Sequence, residues 1–588
     1  MNALNSTVLT PPPTSHTRPG WARVLGVSAL VLGLGASPSC WPQGNTSTST
    51  SSNSNSNSNT NTNTNGDART SPPLMRPRPN TNKPRLDEQL PSLGDGSEMG
   101  LGEEKRLGDS VVHEIFRDPD YAEDAVLNDY IQSTWQPLIQ AASLRGELSP
   151  DMLQRFAWQV LLIKDPSINA FALPGGYMGV HLGLIGVVAN QDELASVLAH
   201  ELSHMTQRHL SRLFAQQSQQ TPLLLGAMLL GVLAASKSPN AASALMVGGQ
   251  AVTTQNQLNF SRDMEREADR VGYGVMTQAG FEGAGFASMF LKLQQGSRFN
   301  DNGQYPYLRS HPLTTERIAD MQSRSLGSES NLVSINSAER NWSHLMMAAR
   351  ARVLTRTQQE AWRLQVLVAE QALLQAQNPL SARIGALYAG VLASARMGDF
   401  KTTQRLLQAL QSWVMGASET SAQMHLTLLR AEVALLSKDP EQARALLEPL
   451  AHTRARLFFL CEARLQIDAK ALALGASASA STGLAALSVN ELHEWVVMHP
   501  QDAQAWELLS QAQRMSEDML GSTRSLAESF AVKFDFNAAV DRLIAAQNLA
   551  KQLAKGAGLT RAQEMQASII DTRLRELLAK RREQSLQH

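Results

Sequence analysis

Cysteine is nearly absent from this chain of 588 residues, which contains only Cys40 and Cys461. Two thiols exclude a disulfide framework and a site in which four thiolates bind one metal ion. Cys461 lies in an apolar stretch with helical periodicity, and we expect it to be a buried thiol, without an internal disulfide partner if Cys40 is removed or lipidated.

The chain also lacks an excess of either charge, with 52 basic and 53 acidic residues. No overall positive field is available to attract a nucleic acid, which excludes that class of partner. The balance is a cancellation between regions. Residues 1–95 hold 7 basic and 4 acidic residues, residues 96–340 hold 18 and 26, and residues 341–588 hold 27 and 23.

A first apolar run, Val24–Ala36, has 13 residues, fewer than the roughly 17–25 that a membrane-spanning helix needs. Arg18 and Arg23 precede it and small residues follow it up to Cys40, so residues 1–40 are predicted to be a signal peptide. Because transit peptides are amphipathic, this continuous run favours bacterial export to the periplasm. The lack of acidic residues before Asp67 keeps a mitochondrial transit peptide as the alternative.

Residues 41–89 are predicted to be a disordered tether. From Asn45 to Asn65 every residue is Asn, Ser or Thr, and Pro-rich sequence follows. Such a segment cannot bury enough apolar surface to offset its chain entropy. We expect ordered structure to begin near Leu90. Ser37–Cys40 matches a lipoprotein cleavage box only in part, which leaves lipidation of the cysteine open.

A second apolar segment spans residues 222–252. Its first part, Pro222–Ala235, has 14 nearly continuous apolar residues, and Ala241–Val252 is again small and apolar. The first part is too short to span a bilayer. Two interpretations stay open: a helical hairpin that covers a cleft, and one that dips into a membrane surface as a peripheral contact.

The residues before His200 predict a helix. Asn190 can cap it, Glu193 follows three residues later, and apolar residues recur at helical spacing. The helix contains His200-Glu201-Leu202-Ser203-His204, an H-E-x-x-H motif. At 100° per residue the two histidines lie about 40° apart, so that one metal ion can contact both.

These residue types suit hydrolysis at a metal ion. Two neutral imidazoles can hold one Zn²⁺ without neutralising it, which leaves a Lewis acid that lowers the pKa of bound water to about 7. Glu201 is placed to act as the general base that takes a proton from water and delivers it to the leaving amine. By chance the motif is expected in under about 0.03 of chains of this composition.

A third ligand is predicted downstream, in a helix that runs from Ser261 and ends at Gly280. Glu265 and Asp269 share one face of it, so Glu265 can reach the metal while Asp269 accepts the free ring N–H of a ligating histidine. His209 is one residue early for the third histidine of a metzincin and lies about 140° from His204 on a continuous helix. We therefore expect His209 at the surface.

Four stretches together resemble the M48 metalloproteases, in particular the exported bacterial branch that carries a tetratricopeptide tail. They are His200–His204, Glu265–Asp269, Asn169–Gly176, and Ser310-His311-Pro312 followed by Arg317. The resemblance covers residues 96–325 closely and the C-terminal part less closely. It implies an α+β zincin-like metalloprotease domain at residues 90–330, mostly helical with a small sheet, and an all-α tetratricopeptide-like repeat domain at residues 341–588.

The resemblance also implies roles for individual residues. His200, His204 and Glu265 would hold one Zn²⁺ per chain, with Glu201 as general base and Asp269 supporting a ligating histidine. His311 is the candidate for an additional ligand that restrains activity, with a role at the entry of the next helix as the alternative. Tyr177, Met178, Gly179 and Val180 are the candidate edge strand that pairs with substrate, and a hairpin that only supports the core is the alternative.

The C-terminal part is rich in Ala, Leu and Gln at helical spacing and shows partial repeat marks. Pro500, Trp506 and Leu509 keep the spacing at which one tetratricopeptide repeat ends and the next begins. Three triplets share a +4, +3 spacing, although their first members do not lie multiples of 34 residues apart: Thr403/Leu407/Leu410, Ala443/Leu447/Leu450 and Ala539/Leu543/Ala546. Residues 473–483 are predicted to be a loop.

The sequence therefore predicts a zinc endopeptidase of the cell envelope, located in the periplasm of a Gram-negative bacterium. Its repeat domain would bind misfolded or misassembled protein substrates. The resemblance further implies outer-membrane β-barrel proteins and their assembly machinery as partners. A tail that only folds against the protease is the simpler alternative for that region. A different class of function, a repeat-scaffold chaperone or assembly factor with latent proteolysis, is the alternative for the whole chain.

Overall fold

The computed structural model describes residues 99–216, 261–299, 304–327, 335–375, 377, 379–416, 419–473, 483–556 and 558–587. The predicted signal peptide, the tether, the 222–252 insert and nearly all of the 473–483 loop lie outside these residues. From Leu90 onward the chain groups into one compact unit. No helix of the described ranges combines the length and apolar character that crossing a membrane requires.

In its described residues, the N-terminal region (99–327) is mostly helical and contains three short strands. Its elements are α1 Leu101–Arg117, α2 Ala125–Leu144, α3 Pro150–Arg155, β1 Gln159–Ile163, β2 Ala170–Leu173, β3 Tyr177–His181, α4 Leu182–Val187, α5 Gln191–Thr206, α6 His209–Gln216, α7 Arg262–Gln278, α8 Ala284–Phe299, α9 Tyr307–Ser310 and α10 Thr315–Gly327. This agrees with the predicted mostly helical domain with a small sheet.

The three strands form one sheet in the order β1-β3-β2. β3 pairs parallel with β1 and antiparallel with β2, with Phe171 opposite Gly179. Gly175 and Gly176 form the tight turn between β2 and β3 at φ values of 75° and 81°, which glycine adopts without a Cβ clash. A Cβ at Gly176 would lie 2.7 Å from Cβ of Phe156, so that the turn is also closely packed.

Helix α5 is the centre of this region, because all 16 of its residues are buried. It packs against α2, α7, α8 and strand β2. Gly272 of α7 allows a close approach, since a Cβ there would lie 3.0 Å from the carbonyl oxygen of Ala199. The polar residues on α5 are thereby held inside the fold, where they need partners.

The described part of the C-terminal region, residues 335–587, consists of helices and contains no strand. They are α11 Ile335–Thr355, α12 Gln359–Leu374, α13 Leu380–Arg396, α14 Phe400–Val414, α15 Thr420–Leu436, α16 Pro440–Leu447, α17 Arg454–Ala473, α18 Leu484–Met498, α19 Ala503–Met515, α20 Met519–Val532, α21 Phe536–Lys555 and α22 Arg561–Gln587. Cys461 is buried in α17, as predicted.

Four connections between successive helices of this region share one turn. A residue with positive φ is followed by an Asp whose carboxylate caps the next helix: Gly398-Asp399, Lys438-Asp439, Glu517-Asp518 and Phe534-Asp535. The three predicted triplets lie on or just beyond the second helix of such pairs, and every member except the half-buried Leu450 is buried. The recurrence of one turn chemistry is typical of an array built from similar helix pairs.

The C-terminal region contacts the N-terminal region at several points, three of which lie in residues 123–129. Arg350 of α11 pairs with Asp124 at 2.8 Å, and the backbone N–H of Ala455 in α17 donates to Asp129. Farther along the chain, Lys533 pairs with Glu123 at 2.8 Å. Part of the surface of the helical array is therefore occupied by the rest of the chain.

Candidate metal centre

Helix α5 begins with the predicted capping box. The Asn190 side chain accepts a hydrogen bond from the backbone N–H of Glu193 at 2.8 Å, and the Glu193 carboxylate accepts from the N–H of Ala189 at 2.6 Å. Lys292 of α8 contacts the same carboxylate at 2.5 Å. These contacts fix the start of the helix and so set the position of its histidines about three and four turns later.

Four side chains converge at the inner end of α5. His200 and His204 come from α5, Glu265 comes from α7, and His311 follows α9. One ligand atom from each lies within 4.8 Å of all the others, and all four residues are buried. The two Nε2 atoms of His200 and His204 are 3.0 Å apart, and the Glu265 oxygens lie 3.5 Å from each of them.

His311 completes the group from the opposite side. Its Nδ1 lies 3.4 Å from Nε2 of His200 and 3.0 Å from Oε1 of Glu265. Its Nε2 lies 3.4 Å from Oε1 of Glu201. Tyr307 stacks on the imidazole, with ring centroids 4.6 Å apart, which fixes the ring plane. The structure thus brings His311 into the cluster, where the sequence placed it only by resemblance.

The spacing of these atoms fits one metal ion. Four ligands at about 2.0–2.1 Å in a tetrahedron lie about 3.3 Å from one another, close to the separations of 3.0–3.5 Å in five of the six pairs of these side chains. Two imidazole nitrogens and a carboxylate so close together, buried from water, require a positive charge among them. A His-His-Glu set supplies the nitrogen and oxygen ligands that zinc accepts.

The pKa shifts of these side chains also indicate that the cluster is stabilised by a positive charge. Burial lowers the pKa of His200, but Asp269 and Glu265 outweigh burial and raise that pKa to about 9. Burial and the charge on His200 hold the pKa of His204 well below its ordinary value. Burial acts to raise the pKa of Glu265, yet His311 and His200 hold it well below its usual range.

Asp269 lies beside His200, as predicted, with Oδ1 2.9 Å from Nδ1 of the imidazole. Arg317 of α10 donates to both Asp269 oxygens at 2.6 and 2.8 Å, and its Nη1 lies 2.8 Å from Glu265 Oε2. The same nitrogen donates to the carbonyl oxygen of Pro312 at 2.8 Å. The sequence assigns no role to Arg317, and the structure shows that it links two acidic side chains to the loop after His311.

Glu201 is fully buried, and burial raises the pKa of its carboxyl group. Its Oε2 accepts a hydrogen bond of 3.0 Å from the backbone N–H of Ala172 in β2. This bond fixes the carboxylate beside the cluster of His200, His204, Glu265 and His311, where the sequence predicts a general base.

The prediction that Tyr177, Met178, Gly179 and Val180 form an edge strand is wrong. They lie in β3, which is paired on both sides by β1 and β2. Among the described strands, β2 is the edge beside the site. No motif in the sequence of β1 indicates that this strand pairs with β3, because the pairing joins residues distant in sequence.

The prediction that His209 lies at the surface is also wrong, because its side chain is fully buried. Helix α5 ends at Thr206, and Arg208 has a φ of 52°, so α6 begins at His209 in a new direction. The calculated separation of 140° assumed one continuous helix. Nδ1 of His209 instead lies 2.8 Å from Nδ1 of His204, and its Nε2 lies 3.0 Å from Glu267.

The fold and the site define the class of this region as a metallopeptidase-type domain, with an H-E-x-x-H helix and an acidic ligand on a second helix. Residues 126–325 match the family model described as Peptidase family M48. This part of the chain is therefore similar to Peptidase family M48, whose members are metal-dependent enzymes. This confirms the resemblance inferred from the motifs.

Curated relatives match the same part of the chain. It is 33% identical over 239 residues to the beta-barrel assembly-enhancing protease of Escherichia coli strain K12, covering 40% of this chain and 47% of that protein. It is 34% identical over 238 residues to a putative beta-barrel assembly-enhancing protease of Vibrio cholerae, with the same coverages. The mitochondrial metalloendopeptidase OMA1 of Saccharomyces cerevisiae is 28% identical over 198 residues, covering 32% of this chain and 54% of that protein. The chain thus spans about half the length of the curated relatives it matches.

Proposed function

We propose that this protein is a zinc endopeptidase of the cell envelope that hydrolyses peptide bonds in misfolded or misassembled proteins. The observation that carries the proposal is the convergence of His200, His204 and Glu265 next to the buried carboxylate of Glu201. In this proposal the two histidines and Glu265 hold one Zn²⁺. The ion supplies Lewis acidity toward water and the scissile carbonyl.

The side chains of the site handle the proton. Glu201 accepts the proton of the attacking water on a carboxylate oxygen and delivers it to the leaving amine. Burial raises the pKa of its carboxyl group toward the working range of an acid–base catalyst, and the Ala172 N–H keeps it in place. Asp269, held by Arg317, accepts the Nδ1 proton of His200 and so directs Nε2 to the ion.

Strand β2 supplies the surface for an extended substrate. The backbone N–H of Ala172 points to Glu201 and therefore away from β3. Because strand backbones alternate with a period of two, the N–H and C=O groups of Ala170 point the same way. A substrate backbone that adds to this edge would lie beside the metal, which suits an enzyme that cleaves within a chain.

His311 restrains the enzyme in this proposal. Its Nδ1 lies among the ligand atoms and its Nε2 faces Glu201, so the imidazole occupies the space between the ion and the base that a water molecule needs. Hydrolysis then requires the loop of His311 and Pro312 to move. Arg317, which donates to the Pro312 carbonyl, connects that movement to Asp269 and Glu265.

The setting is proposed from the leader and from the relatives. The signal-like leader favours the periplasm of a Gram-negative bacterium. The proposed clients are outer-membrane β-barrel proteins and their assembly machinery, in line with the name of the bacterial relatives. The name of the yeast relative keeps a mitochondrial location as the alternative. The helical array, with its shared turn, would act as a tetratricopeptide-like surface for substrates.

A repeat scaffold with incidental proteolysis is the second candidate function. It is favoured by the large share of the chain that the helical array occupies and by the closed position of His311. Glu201→Gln separates the two, because it removes the base and keeps the size of the side chain. An endopeptidase loses cleavage of unfolded casein in this variant, with client binding retained. Full biological complementation by Glu201→Gln would favour the scaffold, and Glu360→Gln, at an exposed carboxylate, is the control.

A further inference from the structure

A chain of side chains extends behind His204, away from the ligand atoms. Nδ1 of His204 lies 2.8 Å from Nδ1 of His209, and Nε2 of His209 lies 3.0 Å from Oε2 of Glu267. Arg212 donates to the same Glu267 oxygen at 3.0 Å. Both imidazoles are buried, so the contact between them is made without competition from bulk water.

Only one arrangement of protons satisfies this chain when Nε2 of His204 faces a metal ion. Nδ1 of His204 must then carry the proton and donate it to the lone pair on Nδ1 of His209. That places the proton of neutral His209 on Nε2, which donates to Glu267. Each hydrogen bond therefore fixes the tautomer of the next residue.

The backbone builds this arrangement at some conformational cost. Arg208 adopts a φ of 52°, which is uncommon for a residue with a Cβ. Its guanidinium holds the turn by donating to Glu104 at 3.1 Å and to Ser211 at 3.1 Å. The turn directs the His209 side chain back toward α5 and α7, so the conformation has a defined result at the site.

The two ligand histidines are supported in parallel ways. His200 leads to Asp269, which pairs with Arg317. His204 contacts His209, His209 contacts Glu267, and Glu267 pairs with Arg212. Each support ends in a carboxylate that an arginine holds in place, although Glu267 is more exposed, with 29% of its side chain accessible against 4% for Asp269.

We propose that His209 and Glu267 are positioning residues that hold His204 in the tautomer and orientation required to bind the metal. This inference rests on the proposed function to the extent that His204 is a metal ligand. Partners of this kind typically change metal affinity 10–100-fold when they are removed. His209 does not touch the ion or the substrate and acts only through His204.

The test compares four full-length chains: wild type, His209→Ala, His209→Asn and His425→Asn. Asn keeps an acceptor near the position of the histidine Nδ1, so it can still receive the His204 proton. His425 is the matched control, because it is a buried histidine of α15 whose Nδ1 contacts Ser343 at 3.1 Å, away from the site. Zinc affinity is measured by competition with a chromophoric chelator, and the absorption spectrum of bound Co²⁺ reports ligand geometry. Thermal unfolding without metal checks the fold.

We expect His209→Ala to bind zinc 10–100-fold more weakly and to change the Co²⁺ spectrum, with His209→Asn restoring most of the affinity and His425→Asn matching wild type. Equal zinc affinity in wild type and His209→Ala would overturn the inference. So would a loss in His209→Ala that His209→Asn does not recover. Casein cleavage, measured in parallel, separates the two proposals: wild type that binds zinc but cleaves nothing contradicts the proposed function alone. Wild type that binds no zinc overturns both.

Discussion

Nε2 of His311 lies 3.4 Å from Oε1 of Glu201, while Nδ1 of the same ring lies 3.0 Å from Oε1 of Glu265. One imidazole therefore bridges the proposed general base and a proposed metal ligand. A water molecule that attacks a substrate needs the same space, so the contact between His311 and Glu201 describes a restrained site.

His311→Ala is expected to raise proteolysis, because it removes the side chain that fills this space and keeps His200, His204 and Glu265. A preference of about 1.4 kcal/mol for the restrained arrangement corresponds to a rise of about tenfold. The measurement is the initial rate of casein cleavage at equal zinc content. Unchanged or lower activity with zinc intact would count against a restraining role.

Arg317→Met is expected to destabilise the fold, because it leaves the buried carboxylates of Asp269 and Glu265 without their cationic partner. Removing one partner of such a buried pair costs about 3–5 kcal/mol. Urea unfolding followed by circular dichroism measures the change. Arg324→Met on the same helix is the control, since its partner Asp320 is exposed and such pairs contribute about 0–1 kcal/mol. Similar losses in both variants would contradict the assigned role.

Arg350→Met is expected to weaken the connection between the N- and C-terminal regions. Its buried guanidinium pairs with Asp124 at 2.8 Å and with Glu432 at 2.6 Å, and the loss is about 3–5 kcal/mol. Arg405→Met, which breaks the exposed pair with Glu370, should change stability by about 0–1 kcal/mol. Differential scanning calorimetry measures both variants. An Arg350→Met chain as stable as wild type would show that the contact is not needed to join the regions.

Acid is expected to destabilise the protein through His344. The residue accepts from Tyr130 and donates to the Val188 carbonyl, and burial lowers its pKa to about 4. Below an unfolded pKa of about 6.5 the unfolded chain binds a proton that the folded chain does not. Stability is thus complete above pH 6.5 and falls toward pH 4, by about 3 kcal/mol for this group. His344→Asn should show a shallower fall in urea titrations across that range, and parallel curves for the two chains would refute the assignment.

Features that depend on local spacing could be predicted from the sequence. The capping box of Asn190 and Glu193, the shared face of His200 and His204, and the helix end before Gly280 all follow from residues within a few positions of one another. The position of Asp269 beside a histidine of the H-E-x-x-H motif also follows from local spacing, given that α5 and α7 contact each other.

Features that depend on a single backbone angle or on distant pairing could not be predicted. Nothing in the residues around Arg208 signals its positive φ. Without that turn, His209 would point to the surface and would not contact His204. The edge strand was assigned to Tyr177–Val180 because the parallel partner β1 gives no local signal. The pairing of Arg350 with Asp124 joins residues 226 positions apart.

The most direct test of the account is to remove and restore the metal. The purified chain is stripped with a chelator, reloaded with one equivalent of zinc, and assayed for bound zinc and for casein cleavage at each stage, alongside Glu201→Gln. The account predicts that cleavage disappears with the metal and returns with about one zinc per chain, and that Glu201→Gln binds zinc without cleaving. Cleavage that persists in the stripped wild type, or in zinc-loaded Glu201→Gln, would contradict it.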